Sequence, residues 1–375
     1  MRNKRLTASI FLVLALLVAF LAGESFSTMY EAEAIVAGPG VVGQKMLSDY
    51  LPKLKGTNGD TEIYILEGEK PGGSMLLLGG THPNEPSGLM TAVLLIENAQ
   101  LEAGTLYVIP RANNSAFTHN DPQEGSPQRF TIDTPSGERW FRYGSRATNP
   151  VDQWPDPDVY IHAASGQQLS GSETRNLNRA YPGREDGTFT EQVAYAITEL
   201  IRQEDIDISI DLHEASPEYP VINAIVSHEK AMGIASLTAI NLELKGVKIG
   251  LEPSPKNLRG LSHREWGDYT DTLSILMETA NPAQGRLRGK TDEALILEGK
   301  DKTYVKAAQL GRLFVPFDEN GHSLDSRVAR HLTSIVELSK SYSTQYQESP
   351  IILGGLPTYN EIIDNGIGNY LTPLN

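Results

Sequence analysis

The chain has no cysteine among its 375 residues. That excludes disulfides, thiolate metal ligands, a cysteine nucleophile and lipid attachment through an N-terminal Cys, and it leaves His and carboxylate side chains to hold any metal. Basic residues are also short: 32 Lys and Arg face 47 Asp and Glu, a formal net charge of -15. A general nucleic-acid binder draws its affinity from cations that neutralise phosphates, so no nucleic-acid partner is expected. Long apolar runs are lacking with one exception. "MRNKRLTASIFLVLALLVAFLAGESFS" has a basic head, thirteen apolar residues from Ile10 to Ala22, and then Gly23, Ser25 and Ser27. Residues 1 to 23 read as an export signal or an uncleaved N-terminal anchor, although thirteen residues are fewer than the roughly 20 of a membrane span. The remainder is expected to be a folded domain outside the cytoplasm, touching a membrane only through that segment. With 39% hydrophobic and 21% charged residues it can bury a large core.

After the leader, residues 24 to 58 read as a linker and a short helix, and "TEIYILEG" alternates as a strand does. "SMLLLGG" and "TLYVIPRAN" are short apolar runs bounded by Gly and Asn, and "SGLMTAVLLIENAQL" between them has helical length. A strand, helix, strand crossover is therefore expected over 74 to 111. The pattern returns: "TFTEQVAYAITELIRQE" starts with a capping box, Thr188 and Glu191, and has an apolar side at Val193, Ile197, Leu200 and Ile201. "DISIDLHE", "VINAIVS" and "DTLSILMET" read as strands, with helices at "EKAMGIASLTAINLELKG" and "SRVARHLTSIVELSKSYST". The expected fold is α/β, a wrapped, mostly parallel (mixed) sheet with helices on both faces. One catalytic domain would span 59 to 345. Within it, 113 to 174 is dense in Pro, Gly, Asn and Asp, a long excursion of the kind that forms a lid or wall, and 346 to 375 is a tail.

Ligands of wrapped α/β sheets bind beyond the carboxyl ends of the strands. In "GGTHPNEPSG", His82 and Glu85 lie just past the end of a buried strand. In "DISIDLHEAS", His213 ends another strand of the same polarity, and side-chain alternation puts Asp211 on its face. Two His and one Glu suit Zn²⁺ with a fourth position left open, the catalytic arrangement, and one Zn²⁺ ion is expected. Glu278, at the end of "TLSILMETANP", is then the candidate base for a hydrolysis. In "RNLNRAYPGR", Asn178 and Arg179 can hold a carboxylate, the Arg through two parallel N–H bonds.

The order "GGTHPNEPSG", "NLNRAYPG", "SIDLHE" and "SILMET" resembles the zinc carboxypeptidase superfamily, most of all its branch of succinylglutamate desuccinylase and aspartoacylase-type deacylases, over roughly residues 60 to 300. The resemblance implies that His82, Glu85 and His213 bind zinc, that Asn178 and Arg179 bind the terminal carboxylate, and that Glu278 is general base and acid. It also implies an Arg that stabilises the oxyanion. "RWFRYGSR" is similar to the stretch that leads to it, which nominates Arg142, with Arg139 as the alternative. No Tyr occupies the place of the mobile carboxypeptidase Tyr in "SPKNLRGLSHREWGDYTDTLSILMET", where His263 and Tyr269 are the nearby polar groups. The expectation is an exported zinc hydrolase that cleaves an amide next to a carboxylate-bearing group of a small molecule or peptide end. Its competitors are a non-catalytic carboxylate-binding protein on the same fold and a membrane-tethered interaction domain.

Overall fold

The computed structural model describes residues 2–121 and 125–374, so the parts of the expected leader, excursion and tail at 1, 122–124 and 375 lie outside it. Helix α1 (Arg2–Ser27) is exposed from Asn3 to Ser27 and is long and apolar enough to cross a membrane, a description that a signal sequence also meets. Where a linker and short helix were expected, the chain forms strand β1 (Val41–Met46) and two 3-10 turns, Leu47–Asp49 and Pro52–Leu54. The β-branched start of "VVGQKM" pairs antiparallel with β2 (Glu62–Glu67), and Pro52 lacks the N–H that a continuing helix would use.

The crossover expected at 74 to 111 is present as β3 (Lys70–Leu78), α2 (Pro86–Asn98) and β4 (Gln100–Ile109), with β3 and β4 parallel. The excursion is not structureless. It holds a hairpin of β5 (Arg129–Thr134) and β6 (Gly137–Arg142) and another of β7 (Val159–Ile161) and β8 (Gln168–Ser170). Phe130 and Phe141 of the first hairpin stack on each other and join the main core. Then follow α3 (Phe189–Gln203), capped by Thr188 and Glu191 as expected, β9 (Ile208–Ala215), β10 (Ala224–Ser227), α4 (Met232–Leu244), β11 (Gly250–Pro253), α5 (Ser262–Tyr269) and β12 (Leu273–Ala280). Helices α6 (Glu293–Glu298), α7 (Lys302–Gln309) and α8 (Leu324–Gln345) lead to β13 (Ile352–Gly354) and α9 (Tyr359–Asn365). The expected tail is part of the domain: β13 pairs with β4, and Ile351, Ile362, Ile367 and Leu371 are core residues.

Nine strands form one sheet in the order β1-β2-β4-β3-β9-β12-β10-β11, with β13 also on β4. The sheet is mixed. Its four central strands, β4, β3, β9 and β12, run parallel, and β10 and β2 flank them antiparallel. Alternation divides the core between the two faces. Met75, Leu77, Ile208, Ile210, Leu212, Ile275 and Met277 pack with residues of α2, α4 and α8, whereas Leu76 and Leu78 pack with residues of α3 and with Trp266 of α5. This is the α/β architecture with helices on both faces. On β9 the α3 and α5 side carries Ser209, Asp211 and His213 in place of apolar residues, and the strand is buried from end to end. Polar residues at core positions break the pattern that folds the rest of the sheet, which marks this face as a site.

Candidate active site

Strand β3 ends at Leu78 and the chain turns at Gly79 and Gly80. Gly80 has φ +65°, and a Cβ there would stand 2.7 Å from the Phe117 ring, so only glycine fits the turn that delivers His82. Two residues past His82, Asn84 gives way to Glu85, which stands immediately before Pro86, the first residue of α2, and whose N–H donates to the His82 carbonyl at 2.9 Å. The helix start thus fixes the spacing of the pair. On β9, His213 lies opposite Glu278 of the parallel strand β12 in the sheet register, so both side chains leave the sheet side by side, on the face that also bears Asp211.

The side chains of His82, Glu85 and His213 converge, each buried, with one potential ligand atom apiece within 4.8 Å of the others. His82 Nδ1 is 2.9 Å from Glu85 Oε1, and His213 Nδ1 is 3.0 Å from Glu85 Oε2. The opposite ring nitrogens are occupied: His82 Nε2 is 2.9 Å from Asn176 Oδ1, and His213 Nε2 is 2.9 Å from Asp211 Oδ2. An amide oxygen only accepts, so His82 carries its proton on Nε2 and turns the bare Nδ1 toward a carboxylate. Two lone pairs facing each other call for a cation between them. Nδ1 of both imidazoles and one Glu85 oxygen form such a donor set, and Asn176 and Asp211 orient the rings from behind.

The protonation tendencies agree. Burial lowers the His82 pKa to about 4, helped by the Arg146 guanidinium, so its ring is neutral and able to ligate. Burial also acts against charge on His213, but the Asp211 and Glu85 carboxylates outweigh it and hold that ring up to about 10. Positive charge belongs between these groups, whether brought by a proton or by a metal ion. Glu85 is held well below the usual carboxylate range because both imidazoles overcome its burial. Glu278 goes the other way. Burial, with Glu85 and Asp211 adding repulsion, raises its carboxyl to about 8 against the pull of His213 and Arg146, and its Oε2 is buried without a partner.

Of the residues singled out in the sequence, the structure brings together His82, Glu85, His213 and Glu278, with Asn178 beside them. Asn178 Nδ2 is 3.5 Å from His213 Nε2, and its Oδ1 accepts from the Ser262 N–H at 2.8 Å. Arg179 bonds the Asn178 carbonyl and is 3.7 Å from Glu173. Its pKa is lowered by burial first and by the Arg146 guanidinium next. Arg146 and Arg179 are thus close enough for their charges to act on each other, and guanidiniums are the side chains best suited to hold a carboxylate.

Arg142 is elsewhere, which corrects its nomination. Its side chain is 2% exposed, and its Nε donates to Glu33 Oε2 at 2.7 Å, with Arg111 on the same carboxylate. Arg139, the alternative, is paired with Glu97 through both terminal nitrogens at 2.9 Å. The Arg that reaches the site is Arg146, whose side chain is 41% exposed and whose Nη1 is 2.9 Å from Glu85 Oε1. Between them Gly144 lets the strand leave the hairpin against the Ala116 carbonyl, where a Cβ would stand 2.3 Å away. Sequence reasoning also missed Asn176. Its signal was position, two residues before the Asn178 and Arg179 pair on the same short turn.

No protein-family model matches the chain, and no curated protein matches it. Solved structures do. The chain is similar to a product-bound ectoine utilization protein EutE (DoeB) from Ruegeria pomeroyi, at 14% identity and a TM-score of 0.43, over 80% of this chain and 63% of that one. It is similar to a succinylglutamate desuccinylase from Silicibacter sp. TM1040 at 13% identity and 0.42, over 80% and 63%. An aspartoacylase family protein from Mesorhizobium loti aligns at 20% identity and 0.38, over 70% and 73%. Its structural neighbours are of the succinylglutamate desuccinylase and aspartoacylase family. The chain spans less than two thirds of the length of the first two.

Proposed function

We propose that the protein is an exported zinc hydrolase that cleaves an amide bond next to a carboxylate-bearing group, in an N-acyl amino acid or at a peptide end. The observation that carries the reading is the convergence of two imidazole Nδ1 atoms on Glu85, with the unpartnered Glu278 carboxylate beside them. His82, Glu85 and His213 would hold one Zn²⁺. When bound, zinc supplies Lewis acidity, which polarises a carbonyl and acidifies water.

The chain's own groups do the rest. Asn178 and Arg179 bind the substrate carboxylate, and this fixes the amide at a set distance from Glu278. Glu278 takes the proton of the attacking water at a carboxylate oxygen and hands it to the departing nitrogen. A carboxyl held up by burial is matched to both tasks near neutral pH. Arg146, rather than Arg142, faces the negative charge that develops on the carbonyl oxygen, and its position beside Glu85 supports that role. Helix α1 serves as the export leader or anchor.

The test is hydrolysis of a panel of N-acyl amino acids and C-terminal peptides, run with zinc-loaded and chelator-treated protein. Turnover that chelation abolishes and zinc restores is the expected result. Binding of carboxylate ligands with no hydrolysis of any substrate would replace the enzyme with a carboxylate-binding protein.

A further inference from the structure

Strand β9 carries charge on both faces at its end. His213 faces the candidate site, and alternation turns the next residue, Glu214, to the opposite face, where α2 and α8 pack on the sheet. Its side chain is fully buried, and the proposed mechanism gives it no task. A buried carboxylate is costly unless it is paired and hydrogen-bonded, and this one is met by donors from three separate elements. Arg327, on the first turn of α8, donates from Nη1 at 2.6 Å. The Asn281 side-chain amide donates at 2.9 Å from the turn that follows β12. The Ser87 N–H, one of the amides that the start of α2 leaves without a helical partner, donates at 3.4 Å.

What these donors share is their place in the chain. Ser87 comes just after Glu85, Asn281 just after Glu278, and Glu214 directly after His213. The Glu214 backbone N–H also donates to Glu85 Oε2 at 2.9 Å, and the Asn281 N–H to the Ala215 carbonyl at 2.8 Å. One carboxylate therefore ties together the segments that carry three groups of the candidate site. Helix α8 anchors it from behind. Arg327 donates from Nη2 to the Ile296 carbonyl and from Nε to the Ser323 carbonyl at 3.4 Å, so its guanidinium has one orientation. One turn further on, His331 Nε2 is 3.2 Å from the His213 carbonyl, which can only accept, so the ring donates there.

We propose that Glu214 and Arg327 are the positioning pair of the candidate site: from the far face of the sheet they hold the start of α2 and the end of β12 against β9, and so set the spacing of Glu85, His213 and Glu278 that receives a divalent ion. This rests on the proposed function above. Metal–ligand distances tolerate only about 0.2 Å, so a small loss of register between these segments weakens the ion's hold. A pair that only stabilised the fold, as Glu33 and Arg142 do, would change the melting temperature and leave the ion's affinity alone.

The experiment measures the zinc affinity of the full chain, by competition with a chromophoric chelator, in the unaltered protein, Arg327→Met, Arg327→Lys, Glu214→Gln and Arg142→Ala, each well below its own melting temperature. Arg327→Met and Glu214→Gln should each weaken zinc binding by about 10- to 100-fold. Arg327→Lys keeps a cation for Glu214 and should recover part of the loss, whereas Arg142→Ala should melt earlier yet bind zinc as the unaltered protein does. In the unaltered protein, zinc should also slow amide hydrogen exchange in the first turn of α8, a segment that holds none of the proposed ligands, and this decides the matter even if the variants do not fold. Unchanged zinc affinity in folded Arg327→Met and Glu214→Gln, or exchange in α8 that is indifferent to zinc, overturns the proposal and leaves the metal site standing. Failure of every protein, the unaltered one included, to bind zinc overturns the two together.

Discussion

Two groups of buried charges lie a few residues apart in this chain and behave in opposite ways. Glu33, in the arm that follows α1, accepts from Arg111 and Arg142, and Glu97 of α2 holds Arg139 while also taking the N–H groups of Val36 and Thr372. At the candidate site, Glu278 Oε2 is buried without a partner, and Arg146 touches Glu85 while remaining partly in solvent. Saturated charges build structure, because removing one partner strands the other in a medium that cannot solvate it. Unsaturated buried charges keep capacity for a ligand, and perturbed groups of that kind concentrate at functional sites. Arg139, Arg142 and Arg146 belong to a single short stretch, yet the first two are buried in ion pairs, whereas Arg146 is 41% exposed and reaches Glu85 at the candidate site.

The sharpest break of that comparison comes from the candidate site. Glu278→Gln should lose about 10²- to 10⁴-fold in kcat with zinc content and melting temperature unchanged, and near-normal turnover would remove Glu278 from the chemistry. Arg142→Ala should do the reverse, losing about 3–5 kcal/mol of stability in denaturant unfolding while the folded fraction keeps its kcat. Arg146→Ala should cost about 2.7–4 kcal/mol of barrier, read as kcat, with little change in stability. If Arg142→Ala abolished turnover in folded protein and Arg146→Ala did not, the assignment of the two would be exchanged.

Acid distinguishes the classes more gently. Burial pushes the Glu33 carboxyl up, but Arg142 and Arg111 outweigh it and hold it at about 2, below the 4.5 of an ordinary Glu. A group whose folded pKa is depressed binds fewer protons folded than unfolded in that window. Its stabilisation is complete above about pH 4.5 and is lost as pH falls toward about 2. Glu33→Gln should be less stable at neutral pH and should flatten this part of the acid limb, measured by unfolding free energy against pH. An acid limb of unchanged slope would show that the Arg cluster does not hold Glu33.

The sheet and the clustering of His82, Glu85 and His213 were legible in the sequence because their signals are local. "SMLLLGG" and "DISIDLHE" show where strands end, and a ligand past a strand end points to the site side of the sheet. The partner of an Arg is not local. What decides between Arg142 and Arg146 is Glu33, 109 residues before Arg142 in the chain, together with the turn at Gly144. The arm was equally hidden: "YEAEAIVAGPG" has a linker's composition, but Gly38 lies against the Glu97 carbonyl, with 2.2 Å left for a Cβ, and the segment is held by ion pairs rather than by an apolar pattern. The tail escaped notice for the same reason, since its strand is three residues long and finds its place only by pairing with the first residues of β4, Gln100 to Ala103.

The central claim is that His82, Glu85 and His213 hold one metal ion through both Nδ1 atoms. Zinc-edge X-ray absorption on the full chain, with zinc counted per molecule, tests it most directly. The account predicts one zinc, two imidazole nitrogens at about 2.0–2.1 Å and carboxylate oxygen at about 2.0–2.2 Å, all lost in a His82→Ala, His213→Ala double variant. Zinc below one equivalent in protein purified with the metal present, or a first shell that survives the loss of both histidines, would contradict it.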